Sequence, residues 1–574
     1  MPYALYPSST TTIDALSKTG GIPRVGAALL THRGITSWAK ARQFLSADLS
    51  DLSHPDLLAG TPRAVDHLAS YIMEGRRIVI HGDYDVDGIS GTAVLMRILR
   101  QLNADVAYYL PNRFRDGYGL TCTGLDRIAQ TGGEVVVTVD CGSGSVDALR
   151  YGRDVLGLRL IATDHHLMAE RPPDVFDVVT PQLDGYLTEL SGAGVALKVG
   201  MALLERLGRP PEWAYEHLDL AVLGEIADVV PLTGESRVIV REGLSRLNRT
   251  TKPGLLALIQ LARLEMGHIS EGDIGFSLAP MLNAAGRMAD PHYALDLLLA
   301  EDPRTASALA KQLWQWNQKR KHATAAAVAR AENRMTDHPD WLNHPILVVE
   351  DEQCPLGVAG LVAAHLSERW HKPALAMAWH DGRWKGSARS TDTLNLVQTL
   401  EQVQSYLIKF GGHAKAAGVE VAPDGVNALR TALHTTIADA RTNTSPILPF
   451  DGVLSLAAVN HPDLLWVLEH LAPFGEKNPA PLFVFRDCDL SNVRYAGTGG
   501  SVTLFTVTQN THTVRAIAHR LEVPAGHGRV AGILGTPQSH RFRGVTSIQL
   551  RVIAIFPTPD LLQSHTGISA KASA

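Results

Sequence analysis

Short apolar segments alternate with longer helix-forming segments between residues 59 and 230. The apolar segments lie at 78–80, 106–110, 135–139, 158–162 and 177–179. Alternation of this kind is typical of βαβ units, in which crossover helices join parallel strands. The pattern therefore predicts an α/β fold with a doubly wound, mainly parallel sheet.

The pattern changes twice after residue 300. Residues 301–335 are rich in helix formers, contain no glycine, and place Pro303 where a first helical turn tolerates it. They predict one long helix that connects two lobes, and residues 345–440 predict a second αβ unit. Beyond the turn-rich segment 442–452, β-branched and aromatic residues lie between glycines and prolines, which predicts an all-β domain.

The composition is that of an ordinary globular protein with several domains. The chain has 574 residues, of which 45% are hydrophobic and 19% charged, and we expect about three or four domains. Its four cysteines are scattered without a C-x-x-C pair, which argues against zinc ribbons and a disulfide framework. Neither a signal-peptide pattern nor an apolar run of membrane-spanning length is found, so we expect a cytoplasmic protein without a membrane partner.

Charge is distributed unevenly along the chain. The net charge is −5, so the chain as a whole is not a basic nucleic-acid binder. Residues 491–556, however, hold seven arginines against the single acid Glu522, a local charge of +6. This basic β-domain indicates an anionic polymer as a partner, and an ordinary solvated β-domain is the alternative.

Aspartates follow several of the predicted strands. Asp83, Asp85 and Asp87 come directly after the first strand, and Asp140 and Asp164 end two later ones. In an open parallel sheet, ligands bind outside the carboxyl ends of the strands. We therefore expect these side chains to lie close together at one edge of the sheet.

Two alternatives compete with a metal site at these aspartates. "DYDVDG" matches the opening of an EF-hand loop, but such a loop requires a helix before it and a glutamate at its twelfth position, where Val94 stands. A single strand-end aspartate is usually a helix N-cap. Four acidic sites with His165 and His166 among them, including Asp228 in an otherwise apolar run, favour metal instead.

Divalent ions best relieve the repulsion between clustered carboxylates. Oxygen ligands favour Mg²⁺, and imidazoles shift the preference toward Mn²⁺ or another transition ion. The carboxylates and imidazoles are too many for one ion, whereas two ions that share an aspartate would use all of them. Hydrolysis of a phosphoester or phosphoanhydride is the chemistry that such a pair supports.

The motifs, taken in order, resemble those of the DHH phosphoesterase superfamily, and specifically the RecJ family of bacterial single-strand-specific 5'→3' DNA exonucleases. The resemblance runs from about residue 44 to about residue 556. The motifs are "GDYDVDG" (82–88), "PNRFRDGYGL" (111–120), "VDCG" (139–142), "DHH" (164–166), "SGAGVALK" (191–198), "LGEIADVVPL" (223–232), "LNAAGRM" (282–288), "GSARS" (386–390), "GGHAKAAG" (411–418) and "PFGEKNP" (473–479).

The resemblance implies a metal centre with two ions, Mn²⁺ or Mg²⁺. The implied ligands are His81, Asp85 and the bridging Asp140 for the first ion, and Asp87, Asp140, His165 and Asp228 for the second. Asp83 is implied as a further ligand or as a base beside the metals. His166 is implied as a donor to the scissile phosphate.

The resemblance also implies the residues that bind substrate. The terminal 5'-phosphate would be held by Arg113, Arg287, Ser387 and Arg389, a base would stack on Tyr118, and His413 would donate to phosphate. For any one arginine the alternative is a surface ion pair, and for His413 it is a core histidine in a tight turn. "GAGVAL" (192–197) is an incomplete G-x-G-x-x-G and predicts helix packing.

The implied domains surround a single strand. They are an N-terminal adaptor region (1–58), a DHH catalytic domain (59–250), a helical region with the long connecting helix (251–340), a DHHA1-like substrate-binding domain (341–441), an OB-fold β-barrel that binds nucleic acid (446–560) and a disordered tail (561–574). Together they would form a ring whose narrow entrance admits one strand and excludes duplex.

We therefore predict a single-stranded-DNA-specific 5'→3' exonuclease that releases 5'-mononucleotides in DNA recombination and repair and works as a monomer. Single-strand-binding protein and a RecQ-type helicase are candidate protein partners. A DHH-type hydrolase of small phosphates or short oligonucleotides is the alternative, although such relatives generally lack the C-terminal barrel. A non-catalytic scaffold is a third hypothesis, and the intact ligand positions argue against it.

Overall fold

The computed structural model describes residues 3–566 apart from short gaps. The gaps are residues 8, 114, 118, 169–172, 174–175, 184, 187, 392–393, 440–447, 497–501, 520, 522, 524–527 and 543–544. Tyr118, the predicted base-stacking residue, and Glu522 lie outside the described residues. Among the helices that are described, none is both long enough and apolar enough to cross a membrane.

The N-terminal region packs against the C-terminal domain. It contains strand β1 (Tyr3–Leu5), helices α1 (Thr10–Gly20), α2 (Arg24–His32) and α3 (Trp38–Ser46), and 3₁₀ turns at Leu49–Asp51 and Pro55–Leu57. Ser9 and Ser37 cap α1 and α3 by accepting backbone hydrogen bonds. Apolar side chains of these helices, such as Leu30 and Phe44, belong to the same core as the C-terminal barrel.

The predicted catalytic domain is built on a five-stranded parallel sheet. Its first elements are α4 (Thr61–Met73), β2 (Ile78–Gly82), α5 (Val86–Gln101), β3 (Val106–Tyr109), α6 (Cys122–Gln130), β4 (Val135–Val139), α7 (Val146–Asp154), β5 (Arg159–Thr163) and β6 (Asp177–Val179). The strand order is β3-β2-β4-β5-β6, and every pair is parallel. Strands β2 and β4 are buried along their whole length, as expected for central strands covered on both faces. The predicted doubly wound sheet is confirmed.

Helices complete this domain and lead to the next. They are α8 (Gly192–Arg206), α9 (Leu218–Ala227), α10 (Gly234–Leu247), α11 (Pro253–Ala262), α12 (Glu271–Asp273), α13 (Ala279–Met288), α14 (His292–Leu299) and α15 (Pro303–Asp337), with a π-helical turn at Ile274–Leu278 and 3₁₀ turns at Pro211–His217 and Pro339–Asn343. The predicted long helix is α15, whose 35 residues span about 50 Å. Ala310 near its start packs in the core of the catalytic domain, and Ala331 near its end packs in that of the second domain.

The second domain has a mixed sheet. It contains β7 (Leu347–Asp351), α16 (Leu356–Trp370), β8 (Ala374–His380), β9 (Arg383–Arg389), α17 (Leu396–Gln402), a 3₁₀ turn at Gln404–Tyr406, β10 (Lys409–Gly412), β11 (Ala416–Val421) and α18 (Val426–Asp439). The order is β10-β11-β9-β8-β7. Strands β7 and β8 are parallel, and the other pairs are antiparallel.

The C-terminal domain is a closed barrel. Its elements are β12 (Leu448–Phe450), β13 (Gly452–Leu454), a 3₁₀ turn at Leu456–Asn460, α19 (Pro462–His470), β14 (Phe483–Ala496), β15 (Val502–Gln509), β16 (His512–His519), β17 (Arg529–Phe542), β18 (Val545–Phe556) and α20 (Pro559–Thr566). The chain of pairings β14-β15-β16-β18-β17 closes because β17 also pairs with β14. Strand β12 pairs in parallel with β1, which ties the N-terminal region to this domain.

The C-terminal tail begins later than the sequence predicts. Helix α20 extends to Thr566, and its Leu562 is buried in an apolar cluster with Phe450 and Phe556. The prediction of disorder from residue 561 is therefore wrong for residues 561–566, because one apolar side chain of the helix finds a place in the core. Residues 567–574 lie outside the described part of the chain.

Candidate active site

The predicted acidic cluster lies at the carboxyl ends of the parallel strands. His81 is the next-to-last residue of the buried strand β2, and Asp83 follows the strand at once. Asp85 caps α5, since its side chain accepts hydrogen bonds from the backbone N–H groups of Asp87 (3.0 Å) and Gly88 (3.3 Å). The capping role expected for a single strand-end aspartate thus exists at Asp85 alongside its place in the cluster.

Three groups of potential metal ligands are found among the described residues, and Asp140 belongs to two of them, one with His165 and His166 and the other with Asp83 and Asp85. The Nε2 atom of His165 lies 3.1 Å from Asp140 Oδ1 and 3.6 Å from carboxylate oxygens of both Asp87 and Asp228. In the other group, ligand atoms of Asp83, Asp85 and Asp140 all lie within 4.8 Å of one another. Asp140 therefore lies where a bridging ligand would, but His81 is in none of these groups, and the two ligand sets remain a prediction.

Asp140 itself has an unusual backbone. It follows β4 with a φ of 62°, in the left-handed region that residues other than glycine seldom adopt. The packing of α8 sets its surroundings, because a Cβ atom at Gly192 would lie only 2.4 Å from the Cβ of Asp140. Any side chain at position 192 would therefore displace the shared aspartate.

Helix α8 also holds Asp87. The backbone N–H groups of Gly192 and Ala193 donate to the two carboxylate oxygens of Asp87, at 2.6 and 2.9 Å. The positive end of a helix stabilises a carboxylate placed there. The segment 192–197 packs as a helix, as the sequence predicts, but its contact with Asp87 was missed.

Glu225 contacts the same N-terminal end of α8. It is fully buried, and it accepts hydrogen bonds from the backbone N–H of Ser191 (3.3 Å) and from the Ser236 hydroxyl (2.6 Å). Burial and the charge of Asp87 raise the pKa of Glu225 to about 8. Ser191 in turn caps α8. Hydrogen bonds therefore connect Glu225 through Ser191 to the helix end that holds Asp87.

The carboxylates of the cluster are held in an environment that disfavours their charge. Burial, followed by the neighbouring Asp85, raises the pKa of Asp83 to about 8. Burial and the carboxylates of Asp87 and Asp85 raise the pKa of Asp228 to about 8, and the same causes raise that of Asp140 well above its ordinary value. A bound cation would lower these pKa values, because it would stabilise the charged carboxylates.

Several buried polar atoms of the cluster have no hydrogen-bond partner among the described residues, although His165 Nε2 and Asp140 Oδ1 form an ion-pair contact at 3.1 Å. These atoms are His81 Nε2, Asp83 Oδ1, Asp140 Oδ1 and His165 Nε2. Buried polar atoms are normally hydrogen-bonded, and these four are all atoms that can ligate a metal. Burial lowers the pKa of His81 to about 4, which keeps its imidazole neutral and able to ligate. The donor set therefore fits divalent metal.

His166 is oriented by Asp164, and its Nδ1 also lies 3.7 Å from Asp140 Oδ1. Its Nδ1 lies 2.8 Å from Asp164 Oδ1, and the backbone N–H and hydroxyl of Ser143 donate to the other oxygen of Asp164 at 3.0 and 2.6 Å. Burial opposes a charge on His166, but the hydrogen bond to Asp164 and its negative charge outweigh it and raise the pKa to about 9. The roles of Asp164 and Ser143 were not predicted.

The second domain reaches this histidine. His413, just after β10, stacks on His166 with ring centroids 5.0 Å apart and planes 11° from parallel. Burial and the charges of His166 and His165 lower the pKa of His413. The two lobes therefore meet at His166, beside the cluster of potential metal ligands.

The predicted phosphate-binding arginines converge between the two lobes. The Arg113 guanidinium lies 4.4 Å from the centre of the Tyr84 ring, and Arg287 Nη1 donates to the Gly357 carbonyl oxygen at 3.1 Å. Burial, together with the charges of Arg113, Arg320 and Arg389, lowers the pKa of Arg287 to about 9.

The first turns of α16 lie beside the predicted Ser387 and Arg389. A Cβ atom at Gly360 would lie 3.2 Å from Arg389 Nη2 and 3.4 Å from Ser387 Oγ. Helix α16 begins after Pro355 without a side-chain cap, and in its first turn the N–H of Val358 donates to the Pro355 carbonyl oxygen at 3.0 Å. Sequence reasoning missed this helix end, although the two glycines at 357 and 360 were a signal for a close approach.

Family profiles match three parts of the chain. "DHH family, N-terminal domain" matches residues 77–224, "DHHA1 domain" residues 343–439 and "RecJ OB domain" residues 450–554. The single-stranded-DNA-specific exonuclease RecJ of Salmonella typhimurium (strain LT2) is 34% identical over 464 residues, which cover 74% of this chain and 78% of the relative. The chain belongs to the RecJ family.

Other RecJ proteins extend this comparison. The RecJ of Bacillus subtilis (strain 168) is 35% identical over 492 residues, covering 84% of this chain, which spans 61% of the length of that relative. A crystal structure of RecJ from Thermus thermophilus in complex with Mn²⁺ matches with a TM-score of 0.81 and 28% identity, over 96% of this chain and 79% of that one. The same protein has been solved with Mg²⁺, at a TM-score of 0.76.

Membership of the RecJ family confirms the predicted fold class, with its DHH, DHHA1 and OB domains. The structure brings together His81, Asp83, Asp85, Asp87, Asp140, His165, His166 and Asp228 at one edge of the sheet. It brings Arg113, Arg287, Ser387, Arg389 and His413 to the cleft above them. The individual roles of these residues remain predictions.

Proposed function

We propose that the protein is a metal-dependent exonuclease that digests single-stranded DNA from its 5' end and releases 5'-mononucleotides. One observation carries the proposal. Within the described part of the chain, a buried cluster of carboxylates and imidazoles has ligand atoms that lack hydrogen-bond partners. Beside it lie arginines that form no ion pair, and one of them, Arg113, lies over the ring of Tyr84, which stands between Asp83 and Asp85 in the sequence. The first suits divalent metal, and the second suits a phosphate at the end of a strand.

Two divalent ions, Mn²⁺ or Mg²⁺, fit the cluster. The first would be held by His81, Asp83, Asp85 and Asp140, and the second by Asp87, Asp140, His165 and Asp228. When bound, such a pair activates a water and stabilises charge on the phosphoryl oxygens. The RecJ structures solved with Mn²⁺ and with Mg²⁺ support this assignment.

The residues around the metal ligands would then act on the strand. His166, kept protonated and oriented by Asp164, would donate to the scissile phosphate. His413, stacked on its ring, would hold His166 in place and donate to the strand from the opposite lobe. Arg113, Arg287, Ser387 and Arg389 would bind the terminal 5'-phosphate, which places the next phosphodiester over the ligands and sets the 5'→3' direction.

The other domains would select a single strand. The C-terminal barrel has the pairing order of an OB-fold, a fold that binds single strands through a basic groove and stacked bases. We propose that its boundaries with the catalytic and DHHA1-like domains follow the predicted ranges, and that the N-terminal region acts as its support. The protein would work as a cytoplasmic monomer in recombination and repair, alongside single-strand-binding protein and a RecQ-type helicase.

Digestion of end-labelled single strands tests the proposal. A 5'-labelled and a 3'-labelled strand of the same sequence are treated with the protein in Mn²⁺ and in EDTA. The 5' label should appear at once as mononucleotide, the 3' label only at the end of digestion, and EDTA should stop both reactions. Asp140→Ala should be inactive, while Asp147→Ala, which removes a fully exposed carboxylate on α7, should act like the wild type.

Two outcomes would contradict the proposal. Early release of the 3' label would reverse the direction and remove the role given to the arginines. Absence of digestion by the wild type in either Mn²⁺ or Mg²⁺ would argue for hydrolysis of small phosphates instead.

A further inference from the structure

One motif of the C-terminal domain contacts the segment that carries Asp228. It is the loop "PFGEKNP" at 473–479. The backbone carbonyl oxygen of Glu476 accepts a hydrogen bond from the N–H of Leu232 at 2.9 Å. A Cβ atom at Gly475 would lie 2.8 Å from Leu232 Cδ1 and 3.2 Å from its Cγ, so residue 475 packs on Leu232 with no room for a side chain of its own. The loop therefore holds the chain four residues beyond Asp228.

A buried amide fixes the shape of the loop. The side chain of Asn478 is fully buried. Its Nδ2 donates to the carbonyl oxygens of Leu471 and Pro473 at 2.8 and 2.7 Å, and its Oδ1 accepts from Arg33 Nε at 2.6 Å. The backbones of Gly475 and Asn478 also exchange hydrogen bonds at 2.9 and 3.2 Å. Because these bonds come from the loop and from the N-terminal region, the loop keeps its shape independently of Leu232.

A second contact attaches the loop to the helices that follow α11. The N–H of Phe474 donates to a carboxylate oxygen of Glu271 at 3.0 Å. Glu271 is the first residue of α12, which leads through the π-helical turn into α13. The loop is therefore anchored on both sides of its contact with Leu232. An anchored loop can restrain the chain after Asp228 rather than follow its movements.

The turn after Asp228 requires such a restraint. Val229 has a φ of 59°, in the left-handed region, where a β-branched residue is an outlier. Its side chain is 63% exposed, so the packing of that side chain does not hold it there. A conformation of this kind is costly and persists only where the surrounding structure fixes it. Leu232, which is 1% exposed and bound to the loop, supplies a fixed point three residues away.

Asp228 depends on this turn more than its neighbours in the cluster do. Its carboxylate lies 3.6 Å from His165 Nε2 and forms a group of potential metal ligands with Asp87 and His165. The side chain of Asp87 is 2% exposed and is held by backbone N–H groups of α8, whereas that of Asp228 is 34% exposed. The position of the Asp228 carboxylate is therefore set mainly by its own backbone, which the turn at Val229 directs.

We propose that the loop 473–479 positions Asp228 for metal by holding Leu232 and, through it, the strained turn at Val229. The inference rests on the proposed function, because it takes Asp228 as a metal ligand. Gly475 and Leu232 are then positioning residues that act through Asp228. The C-terminal domain would in this way tune the metal affinity of the catalytic domain.

Mn²⁺ affinity measured by calorimetric titration tests the inference. Gly475→Val would push Leu232 aside and should raise the apparent Kd for Mn²⁺ roughly tenfold to a hundredfold, the usual range for groups that orient a ligand. Gly528→Val is the matched control in the same domain, because a Cβ atom there meets open space. Glu476→Gln removes an exposed charge and keeps the carbonyl oxygen. Both controls should bind Mn²⁺ as the wild type does.

A second substitution distinguishes positioning from a general loss of structure. Asparagine tolerates the left-handed conformation, so the turn in Val229→Asn needs less restraint from the loop. This variant alone should bind Mn²⁺ as the wild type does. Combined with Gly475→Val, it should restore the affinity to within about threefold of the wild type. A defect that is merely structural would not be repaired at an exposed position.

Hydrogen exchange in EDTA gives a readout without metal. The amides of residues 228–233 should exchange faster in Gly475→Val, because the Leu232 N–H loses its acceptor, and at the wild-type rate in Gly528→Val. Gly475→Ala adds only the Cβ atom and should show the same changes to a smaller extent. It serves for both measurements if Gly475→Val does not fold.

The outcomes separate the two proposals. The inference is overturned if the variants at position 475 bind Mn²⁺ as the wild type does, if Val229→Asn restores none of the lost affinity, or if exchange at 228–233 is unchanged. Any of these results is compatible with digestion of DNA. If Mn²⁺ affinity depends on the loop as expected but Mn²⁺ supports no digestion, the inference stands and the exonuclease proposal fails.

Discussion

The carboxylates at the end of the parallel sheet and the guanidinium of Arg237 are both buried, but the protein surrounds them differently. Arg237, on α10, donates to the carbonyl oxygens of five residues, namely Phe44, His470, Leu471, Ala472 and Pro473, at 2.8–3.4 Å. Its guanidinium carbon lies 3.8 Å from the centre of the Phe44 ring. The guanidinium donors are therefore satisfied, and their hydrogen bonds join the catalytic domain to the N-terminal region and the barrel domain.

The carboxylates at the sheet edge are not compensated in this way. Asp83 and Asp140 each keep a buried carboxylate oxygen that accepts no hydrogen bond among the described residues, and neighbouring carboxylates raise the pKa of both. A buried charge that the protein saturates serves the fold, whereas one that it leaves unsatisfied is a place for a ligand. The contrast distinguishes structural from functional charges within a single chain.

Replacing Asp140 by Asn should give the largest effect and should move activity and stability in opposite directions. The shared ligand contributes to several kcal/mol of transition-state stabilisation, so digestion in Mn²⁺ should fall roughly a thousandfold or more. In EDTA the variant should unfold at a higher urea concentration, because burial and neighbouring carboxylates disfavour the charge that is lost. Asparagine also tolerates the positive φ at this position.

Adding Mn²⁺ completes that test. It should stabilise the wild type and have little effect on Asp140→Asn, since only a ligand that binds the folded state shifts unfolding. Asp147→Asn should behave as the wild type throughout. An Asp140→Asn protein that is less stable in EDTA would mean that the carboxylate serves the fold, and the contrast with Arg237 would be lost.

Replacing Arg237 by Met should mainly affect stability. The change leaves buried carbonyl oxygens without donors, at a cost of about 3 kcal/mol or more in the free energy of unfolding. The rate of digestion per folded molecule should stay near that of the wild type. Urea unfolding measures the first quantity, and Arg249→Met, on the exposed side beyond α10, is the matched control. A loss of activity without a loss of stability would contradict the structural role.

Replacing Ser191 by Ala tests the support behind the metal ligands. Ser191 caps the helix whose first N–H groups hold Asp87, and groups that orient a ligand typically change metal affinity by tenfold to about a hundredfold. Mn²⁺ affinity, measured by calorimetric titration, should fall within that range. Ser37→Ala removes the cap of α3, far from the site. It should cost a similar stability, about 1 kcal/mol, with no change in metal affinity.

His217, in the 3₁₀ turn Pro211–His217, is an exception to this contrast, because it is buried and unsatisfied but belongs to none of the groups of potential metal ligands among the described residues. It is buried, neither ring nitrogen has a hydrogen-bond partner among the described residues, and burial with the charges of Lys252 and Arg97 lowers its pKa to about 3. A neutral imidazole tolerates this setting, but a protonated one does not. The stability that depends on neutral His217 is fully present above pH 6.5 and is lost as the pH falls toward 3.

A leucine at position 217 should remove that dependence. Relative to the wild type, His217→Leu should gain up to about 1.4 kcal/mol in the free energy of unfolding for each pH unit below about 6.5. Urea unfolding at pH values of about 7.5, about 6 and about 5 follows the difference, and the exposed His322→Leu should show no such trend. Parallel pH profiles for wild type and His217→Leu would show that the ring finds a partner when it is protonated.

Local patterns in the sequence were sufficient to predict much of this protein. Continuous apolar runs predicted the strands β2 to β6 closely, helix formers without glycine predicted α15, and β-branched residues between breaks predicted the barrel. The aspartates at strand ends could be placed together because parallel strands present the same ends at one edge of the sheet. Each of these inferences depends on neighbours in sequence and on a general rule of topology.

Other features were decided only by how distant segments pack. The backbone of α8 that holds Asp87, the five carbonyl oxygens around Arg237, and the hydrogen bond from Arg287 to the Gly357 carbonyl oxygen join residues far apart in the chain. The sequence by itself determined which elements form and which side chains carry charge, since both are local properties. The tertiary structure alone decided which charges are satisfied, because that depends on which distant donors and acceptors the packed domains bring within reach.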